Sequence, residues 1–379
     1  MDDNFALYIH WPFCVTKCPY CDFNSHTFNH IDHDVWEKSL LLELKYFGQK
    51  TAGRTLTSVF FGGGTPSLMK PSVTAKILDA LCNYWNVKSD IEVSLEANPT
   101  SVEIKKFKGF RKAGINRISI GIQSFENESL KFLGRQHSGS DAKKAIQIAA
   151  KVFSRYSFDL IYALPNQTKN NWIKELKNAL QLVGEHISLY QLNIESGTVF
   201  KKNNIRLPNS DLLAELYEST QETMDAYKMP CYEISNHSVA GAECRHNLTY
   251  WRGGDYIGIG PGAHGRLTIN NQLLAFHQIH NPQSWIKAIQ KNGHGTAKSR
   301  HITVKTRSEE LIMMGLRTCE GINLKRFKKQ TNKNLTDYIN EEQLRHLIKN
   351  RFLKKTNLNI YATLSGRMCL NSVLKLLLI

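Results

Sequence analysis

The chain has 379 residues, of which 41% are hydrophobic and 22% charged, and its formal net charge at pH 7 is +16. This length allows two or three domains around a large core. No apolar run approaches membrane-spanning length and no secretory signal pattern is present, so we expect neither a membrane span nor a secretory leader. The positive charge comes from lysines spread widely along the chain, which favours solvated faces over a dedicated nucleic-acid or lipid site, although a polyanionic partner near the more basic C-terminus stays open.

Residues 5–195 alternate short apolar, β-branched runs with amphipathic stretches of helical length. The predicted strands cover residues 5–10, 57–61, 91–96, 116–121, 157–162 and 186–192. The predicted helices cover residues 34–47, 71–85, 101–113, 141–153 and 168–183. Six consecutive strand–helix units predict a parallel α/β barrel or partial barrel, with a two-faced open sheet as the alternative. Polar motifs at the carboxyl ends of these strands favour the barrel, because barrel active sites are built at that edge.

The first of these motifs holds Cys14, Cys18 and Cys21, spaced Cys-x3-Cys-x2-Cys directly after the first predicted strand. Three clustered thiolates can hold a [4Fe–4S] cluster and leave one iron open for another ligand. A structural zinc site, with His10 or His26 as fourth ligand, and simple reduced thiols are the alternatives. The chain has eight cysteines in all. Because this bunching is unlike a disulfide framework, we expect a reducing, cytoplasmic location.

Further polar residues follow the next strands. Gly62-Gly63-Gly64-Thr65-Pro66 ends the second strand and lets backbone come close to a ligand or form a tight turn. The other residues predicted to face the barrel mouth are Glu96, Gln123, Arg135 and Asp159. Carboxylates can bind ammonium or ribose hydroxyl groups, and arginine can bind a carboxylate through two hydrogen bonds. For each of these residues a purely structural hydrogen bond is the alternative.

After residue 200 the alternation stops. We predict a helix at 211–227, a strand at 231–235, an ordered loop at 237–266, helices at 303–318, 324–329 and 341–350, and strands at 353–355, 359–363 and 373–378. Three helices followed by a hairpin are typical of a winged-helix domain, although no candidate recognition helix carries a cluster of base-reading side chains. The predicted domains are therefore 1–200, 201–300 and 301–379. The apolar end of the chain is too short to span a membrane, and we interpret it as a packed element, with peripheral contact to the inner membrane surface as the alternative.

The stretch 246–251, His-Asn-Leu-Thr-Tyr-Trp, lies within the predicted loop. A histidine, an amide and two large aromatics within six residues suit a flat ligand or an iron atom. His246 is therefore a candidate axial ligand, and His237 and His264 are the next histidines to consider. A histidine packed in the core is the alternative.

Together these motifs resemble the radical S-adenosylmethionine (SAM) family of oxygen-independent coproporphyrinogen III oxidases and their relatives, and within it the haem-chaperone branch. The resemblance covers nearly the whole chain. The motifs that carry it are YIH at 8–10 with CVTKCPYCDF at 14–23, FGGGTPS at 61–67, ISIGIQSF at 118–125 and HNLTYW at 246–251.

The resemblance implies a partial (β/α)6 barrel with a C-terminal winged-helix-like domain, a [4Fe–4S] cluster on the three cysteines, and SAM bound at the open iron. Carried over position by position, it implies a set of residues that line SAM, and possible room for a second SAM molecule. These are Tyr8, Tyr20, Gly64, Thr65, Glu96, Gln123, Arg135 and Asp159.

This sequence departs from the pattern of the oxidases at two places, and both bear on whether it oxidises coproporphyrinogen III. The oxidases carry a further cysteine two residues after the third one, where this chain has Phe23, and they have an N-terminal extension before the first strand. The HNLTYW motif marks the chaperone branch, where it is associated with haem. The resemblance therefore implies a haem-binding protein that delivers haem to acceptors such as membrane-bound respiratory enzymes, with His246 as the first candidate haem contact and a homodimer as an open possibility. Oxidative decarboxylation of coproporphyrinogen III, and radical SAM chemistry on another substrate, are the alternatives.

Overall fold

The computed structural model describes residues 3–28 and 30–378. Its strands, in chain order, are β1 Asn4–Trp11, β2 Phe13–Cys14, β3 His26–Thr27, β4 Thr55–Gly63, β5 Asn86–Ala97, β6 Arg117–Gln123, β7 Arg155–Tyr162, β8 His186–Gln191, β9 Asn236–Ser238, β10 Asp255–Ile259, β11 His264–Ile269, β12 Gln272–Gln278, β13 Thr296–His301, β14 Ile322–Asn323, β15 Leu353–Lys355 and β16 Asn359–Ala362.

The helices alternate with these strands in the first half of the chain and cluster near its end. In chain order they are α1 His33–Lys50, α2 Pro71–Leu81, α3 Ser101–Ile104, α4 Phe107–Lys112, α5 Asn127–Phe132, α6 Gly139–Val152, α7 Lys169–Leu180, α8 Val199–Lys202, α9 Ser210–Ala226, α10 Arg245–Trp251, α11 Pro282–Asn292, α12 Val304–Gly315, α13 Leu324–Thr331, α14 Glu341–Lys349, α15 Leu364–Met368 and α16 Leu370–Leu377.

One large sheet organises the barrel. Its strand order is β13-β12-β11-β10-β1-β4-β5-β6-β7-β8-β9. The run from β10 through β1 and β4 to β8 is parallel, whereas β9 on one side and β11 to β13 on the other are antiparallel. All six predicted strands are present, so the parallel α/β prediction is confirmed. The sequence pattern missed β10, a further parallel strand beside β1.

Helices pack on this sheet through apolar stripes at helical spacing, as α1 illustrates. Its N-terminus is capped by Asp32, whose carboxylate accepts hydrogen bonds from the backbone of the first turn. Trp36, Leu40, Leu44 and Phe47 recur every three or four residues and are buried in the main core. We estimate that truncating a fully buried leucine such as Leu40 to alanine costs about 2–5 kcal/mol of unfolding free energy.

The C-terminal region has its own hydrophobic core and a small sheet in the order β14-β16-β15. The elements follow one another as α12, β14, α13, α14 and then the β15–β16 hairpin. This is the predicted three-helix and hairpin arrangement, with a short strand added between the first two helices. The winged-helix-like prediction is therefore confirmed.

Three local predictions were wrong. The predicted terminal strand at 373–378 falls on α16, because its buried residues Leu370, Val373, Leu374 and Leu377 have helical spacing. The predicted strand at 231–235 makes only isolated bridges, and the regular pairing with β8 comes later, in β9. The predicted loop at 237–266 contains α10, β10 and the start of β11, since buried apolar residues there complete the barrel.

The predicted helix at 101–113 is divided into α3 and α4. In the described part of the chain, no helix combines the length and the hydropathy needed to cross a bilayer.

Candidate functional site

A cavity of about 310 Å³ opens at the carboxyl ends of the parallel strands, where the sequence placed the barrel mouth. Cys14, Cys18 and Cys21 all line it. The loop that carries them leaves β1 and returns through β3, which pairs in parallel with β2. This short pairing fixes both ends of the loop, so three thiols from one segment face a single cavity.

Most of the residues predicted to line SAM lie in the wall of this cavity. The structure brings together Tyr20, Gly64, Thr65, Glu96, Gln123, Arg135 and Asp159 with the three cysteines. Most of them come from the carboxyl ends of different parallel strands, which meet at one edge, while Tyr20 lies on the cysteine loop and Arg135 follows α5. Tyr8 is the exception, since it faces a smaller cavity deeper in the barrel.

The glycine motif has a packing role. A Cβ atom on Gly64 would lie 2.7 Å from the carbonyl oxygen of Phe13, at the start of the cysteine loop. Gly63 has φ of +113° and lies against the ring of His10, so it too has no room for a side chain. The glycines therefore let the second loop approach the cysteine loop, and Gly63, Gly64 and Thr65 all line the cavity.

A chain of hydrogen bonds links the cysteines to the opposite wall. The Thr65 hydroxyl donates to Cys14 Sγ at 3.4 Å and accepts from the Asn98 amide at 3.0 Å. Arg135 donates to Asn98 Oδ1 at 2.5 Å and to Cys18 Sγ at 3.3 Å. Asn98 is a site residue that sequence reasoning missed, although its position two residues after Glu96 at a strand end was a usable signal.

Arg135 has unused hydrogen-bonding capacity. Its Nε is buried and has no hydrogen-bond partner in the described structure, whereas its Nη2 bonds to Asn98 and to the carbonyl of Gly121. A buried donor without a partner is costly, and the Arg135 side chain lines the cavity, so a shift of its guanidinium toward an incoming acceptor would relieve this cost. The carboxylate of an amino-acid ligand has the charge and the acceptor atoms to fill this role.

Two carboxyl groups face the cavity from the other side. Burial and the neighbouring Asp159 raise the pKa of Glu96 to about 8, while Glu96 accepts a hydrogen bond from the Gly63 amide at 3.1 Å. Burial also raises the pKa of Asp159, against the opposing effects of Ser188 and Arg117. A buried carboxyl group with a raised pKa gains from a cationic partner, which an ammonium group would supply.

Gln123 ends β6 in the left-handed region, with φ of 70°. Only a few per cent of residues other than glycine adopt this conformation, and it is found where the surrounding structure fixes it. The side-chain amide consequently turns toward Gly121 and the cavity.

The deeper cavity, of about 180 Å³, shares Glu96, Ser119, Asp159 and Tyr190 with the first one. Tyr8, His246 and Tyr250 also line it. The Tyr8 hydroxyl is hydrogen-bonded to His10 Nδ1 at 3.0 Å, and burial raises its pKa. Tyr8 therefore lies outside the wall of the cavity that the cysteines line, and its contact with SAM stays a prediction.

His246 is buried, with 1% of its surface exposed. Its Nδ1 is hydrogen-bonded to the Ser58 hydroxyl at 3.1 Å, and its Nε2 to the Tyr250 hydroxyl at 2.5 Å. Its ring stacks on Phe60, with a centroid separation of 5.1 Å, and burial lowers its pKa to about 3. Both ring nitrogens are therefore occupied, and the imidazole is neutral at physiological pH.

The neighbouring histidines differ. His237 is also buried, and its Nδ1 has no hydrogen-bond partner in the described structure. His264 lies on the surface at the start of β11, where it is exposed. The three histidines that the sequence offered as candidate haem contacts thus occupy three separate environments.

Comparison with known proteins agrees with this geometry. Residues 8–179 match the radical SAM superfamily, and residues 302–369 match the HemN C-terminal domain. The chain is 37% identical to the heme chaperone HemW of Haemophilus influenzae over 98% of this chain and 97% of that protein. It is 36% identical to the heme chaperone HemW of Escherichia coli over 98% of both chains. The chain belongs to the HemW family of radical SAM proteins.

The HemW family likeness extends to a mitochondrial protein and to a solved structure. Radical S-adenosyl methionine domain-containing protein 1 of Bos taurus is 38% identical over 84% of this chain and 74% of its own length. The fold matches that of the coproporphyrinogen III oxidase HemN of Escherichia coli with a TM-score of 0.83 and 19% identity, over 98% of this chain and 89% of that one. At this identity the match shows the shared fold alone.

Membership in the radical SAM superfamily implies a [4Fe–4S] cluster and SAM. The donor set fits them, since three thiols face one cavity that Arg135 also lines, and the buried Nε of this arginine has no hydrogen-bond partner among the described residues. The superfamily match thus favours the cluster over the zinc alternative considered from the spacing.

Proposed function

We propose that this protein is a haem chaperone, which binds haem and passes it to acceptor proteins, on a radical SAM scaffold with a [4Fe–4S] cluster. The observation that carries the proposal is the full-length likeness to heme chaperones. HemW proteins of four bacteria are 33–37% identical to this chain over 97–98% of it, so both the barrel and the C-terminal region are covered.

At the barrel mouth, Cys14, Cys18 and Cys21 would hold the cluster. The cluster, when bound, supplies an electron-rich iron site with one open coordination position. Arg135 would bind the carboxylate of SAM through its guanidinium, and Glu96 would receive its amino group. Thr65 and Asn98 hold Arg135 and the cysteine loop at a fixed separation, through their hydrogen bonds to each other and to both partners.

His246, the haem contact predicted from the sequence, stays a prediction. Its Nε2 would reach an iron atom only after the Tyr250 hydroxyl has moved away, and its Nδ1 would remain bonded to Ser58. Separating one buried hydrogen bond of this kind costs about 1–3 kcal/mol when the freed group finds no new partner. A haem contact at His246 therefore implies an opening of the barrel beside α10.

The second candidate function is oxygen-independent oxidation of coproporphyrinogen III, which the fold shared with HemN keeps open. By the family resemblance, the oxidases carry a further cysteine at the position that Phe23 occupies in this chain. The side chain of Phe23 is exposed. An exposed phenylalanine offers no metal-ligating or acid–base group near the cluster loop, which favours the chaperone.

One preparation tests both functions. The cluster of the full-length protein is reconstituted anaerobically, haem is titrated by absorbance, and coproporphyrinogen turnover is assayed with SAM and a reductant. We expect stoichiometric haem binding without turnover. Formation of protoporphyrinogen would instead make the protein an oxidase, and the absence of both would refute the chaperone proposal.

The acceptor would be a haem-requiring protein, such as a membrane-bound respiratory enzyme, and we propose peripheral contact at the inner surface of that membrane. Transfer to such an acceptor, measured as the appearance of its haem spectrum after mixing with the loaded protein, tests this step. Size-exclusion chromatography coupled to light scattering tests whether the protein forms the homodimer that the family resemblance leaves open.

A further inference from the structure

A cluster of histidines lies on the surface beside the cysteine loop, and we refer to His264, His277 and His280 as the histidine patch. The ring centroids of His264 and His277 are 5.5 Å apart, and those of His277 and His280 are 5.8 Å apart. His264 and His277 stand opposite each other in the β11–β12 register, so their side chains share one face of the sheet.

The ring nitrogens of the patch are available, unlike those of His246. Within residues 3–28 and 30–378, no hydrogen bond to a ring nitrogen of His264, His277 or His280 is found, whereas His246 uses both of its nitrogens. His264 and His280 are exposed, and His277 is half-buried. Partial burial lowers the pKa of His264 and His277, which favours the neutral imidazole that can ligate a metal.

The patch is tied to the cysteine loop by Asn24. The Asn24 amide donates to the carbonyls of Pro261 and His280, both at 2.9 Å, and its Oδ1 is hydrogen-bonded to His26 at 3.1 Å. On this loop Phe23, the residue before Asn24, is 58% exposed. An apolar side chain that water contacts therefore lies one residue from the segment that is bonded to the backbone of His280.

Two cationic side chains of β13 lie beside the histidine patch. Lys298 of β13 is the register partner of His277, so the row His264, His277 and Lys298 crosses three strands on one face. Arg300 follows two residues later, on the same face of the strand, and both cations are exposed. Neither makes an ion pair with a described residue.

We propose that the histidine patch is the haem-docking site. One of its imidazoles ligates the iron, and the exposed Phe23 side chain of the cysteine loop covers part of the porphyrin. Lys298 and Arg300 bind the propionates. This inference rests on the proposed chaperone function and places its cargo on the outside of the barrel. An exposed site suits a protein that must release haem to an acceptor, because the acceptor can approach the iron without any opening of the barrel.

The test uses the cluster-reconstituted full-length protein, titrated with haemin and, separately, with metal-free protoporphyrin IX. The test variant combines His264→Ala, His277→Ala and His280→Ala, and the matched control is His346→Ala, an exposed histidine of α14 in the C-terminal region. We expect the triple variant to lose at least about tenfold in haemin affinity together with the absorbance signature of ligated iron. The control should bind haemin like the wild type, and metal-free porphyrin should bind both variants equally.

Several outcomes would overturn the inference. These are wild-type haemin affinity in the triple variant, an equal loss for metal-free porphyrin, or a loss that follows His246→Ala and spares the triple variant. If the wild type itself fails to bind haemin, the chaperone proposal fails first, so the two failures are distinguishable. Lys298→Glu supplies a second test, with Lys349→Glu as its control: we expect severalfold weaker haemin binding only for the former, and equal binding would remove the propionate contact.

Discussion

The barrel mouth and the surroundings of His246 lie along one continuous interior, yet they differ in how their polar groups are satisfied. At the mouth, the Nε of Arg135 has no hydrogen-bond partner among the described residues, and burial together with the nearby Asp159 raises the pKa of Glu96. Around His246, Ser58 and Tyr250 occupy both ring nitrogens. A polar group with unused hydrogen-bonding capacity can bind a ligand at little cost in free energy, whereas a fully bonded group must first break its existing hydrogen bonds.

This difference teaches that a dense polar and aromatic motif is not by itself a binding site. The mouth should lose binding without losing the fold when its residues are changed. The His246 region should respond in the opposite way, with lower stability as the main effect. The following substitutions test that contrast.

The largest effect is expected for Cys18→Ser. Serine is a poor ligand for iron in such clusters, and only three cysteines are available to hold it. We expect the iron–sulfur absorbance of the reconstituted protein to disappear while the circular dichroism of the barrel is retained. Cys82→Ser, at an exposed cysteine outside the cavity, is the control. An intact cluster in Cys18→Ser would refute the ligand assignment.

His246→Ala should destabilise the fold. The substitution removes a buried ring that stacks on Phe60 and leaves the hydroxyls of Ser58 and Tyr250 without their partner. We expect a loss of about 3 kcal/mol in the free energy of unfolding, measured by chemical denaturation under anaerobic conditions.

The same variant tests the haem contact predicted from the sequence. If His246→Ala retains wild-type stability but loses haem affinity, then His246 is a ligand rather than a structural residue, and the contrast between the two regions breaks down.

Arg135→Lys should weaken SAM binding. Lysine keeps the charge but cannot bond Asn98, Cys18 and a carboxylate at once through a planar fork. We expect about thirtyfold lower affinity for SAM, equivalent to about 2 kcal/mol, in equilibrium binding to the reconstituted protein. Arg345→Lys on the exposed face of α14 is the control, and equal affinities would remove Arg135 from the SAM site.

Glu96 should give SAM binding a pH dependence. With a pKa of about 8, its carboxyl group is roughly nine-tenths protonated at pH 7 in the free protein. Binding a cationic amino group favours the ionised form, so SAM binding should release a proton, and affinity should rise with pH up to about 8. Calorimetry in buffers of different ionisation enthalpy measures this release.

The matched variant is Glu96→Gln, which keeps the shape and the hydrogen bond from Gly63 but cannot titrate. We expect it to release about one proton fewer than the wild type at pH 7. An unchanged proton count would show that Glu96 does not meet the amino group.

The sequence by itself determined the cysteine loop, the parallel strand–helix alternation and most of the mouth. Those signals are local: the thiols lie within eight residues, and strand periodicity is written in neighbouring side chains. The carboxyl-end rule for parallel strands then placed Glu96, Gln123 and Asp159 together without knowledge of any long-range contact, whereas Arg135, which follows α5, came from its residue type and the family resemblance. The prediction of a strand for the apolar run at 373–378 was wrong, because so short a segment fits both the helical and the strand periodicity of apolar residues.

Only the tertiary structure decided whether each polar group was free or already bonded. The partners of His246 are Ser58, 188 residues away, and Tyr250, one helical turn away, and nothing in the HNLTYW motif reveals the first of them. The histidine patch is equally invisible in the sequence, because β11 and β12 must pair before His264 faces His277, and Asn24 of the cysteine loop must reach the backbone carbonyl of His280. Local pattern specifies which element a residue joins, but the availability of its bonding atoms depends on what folding brings beside it.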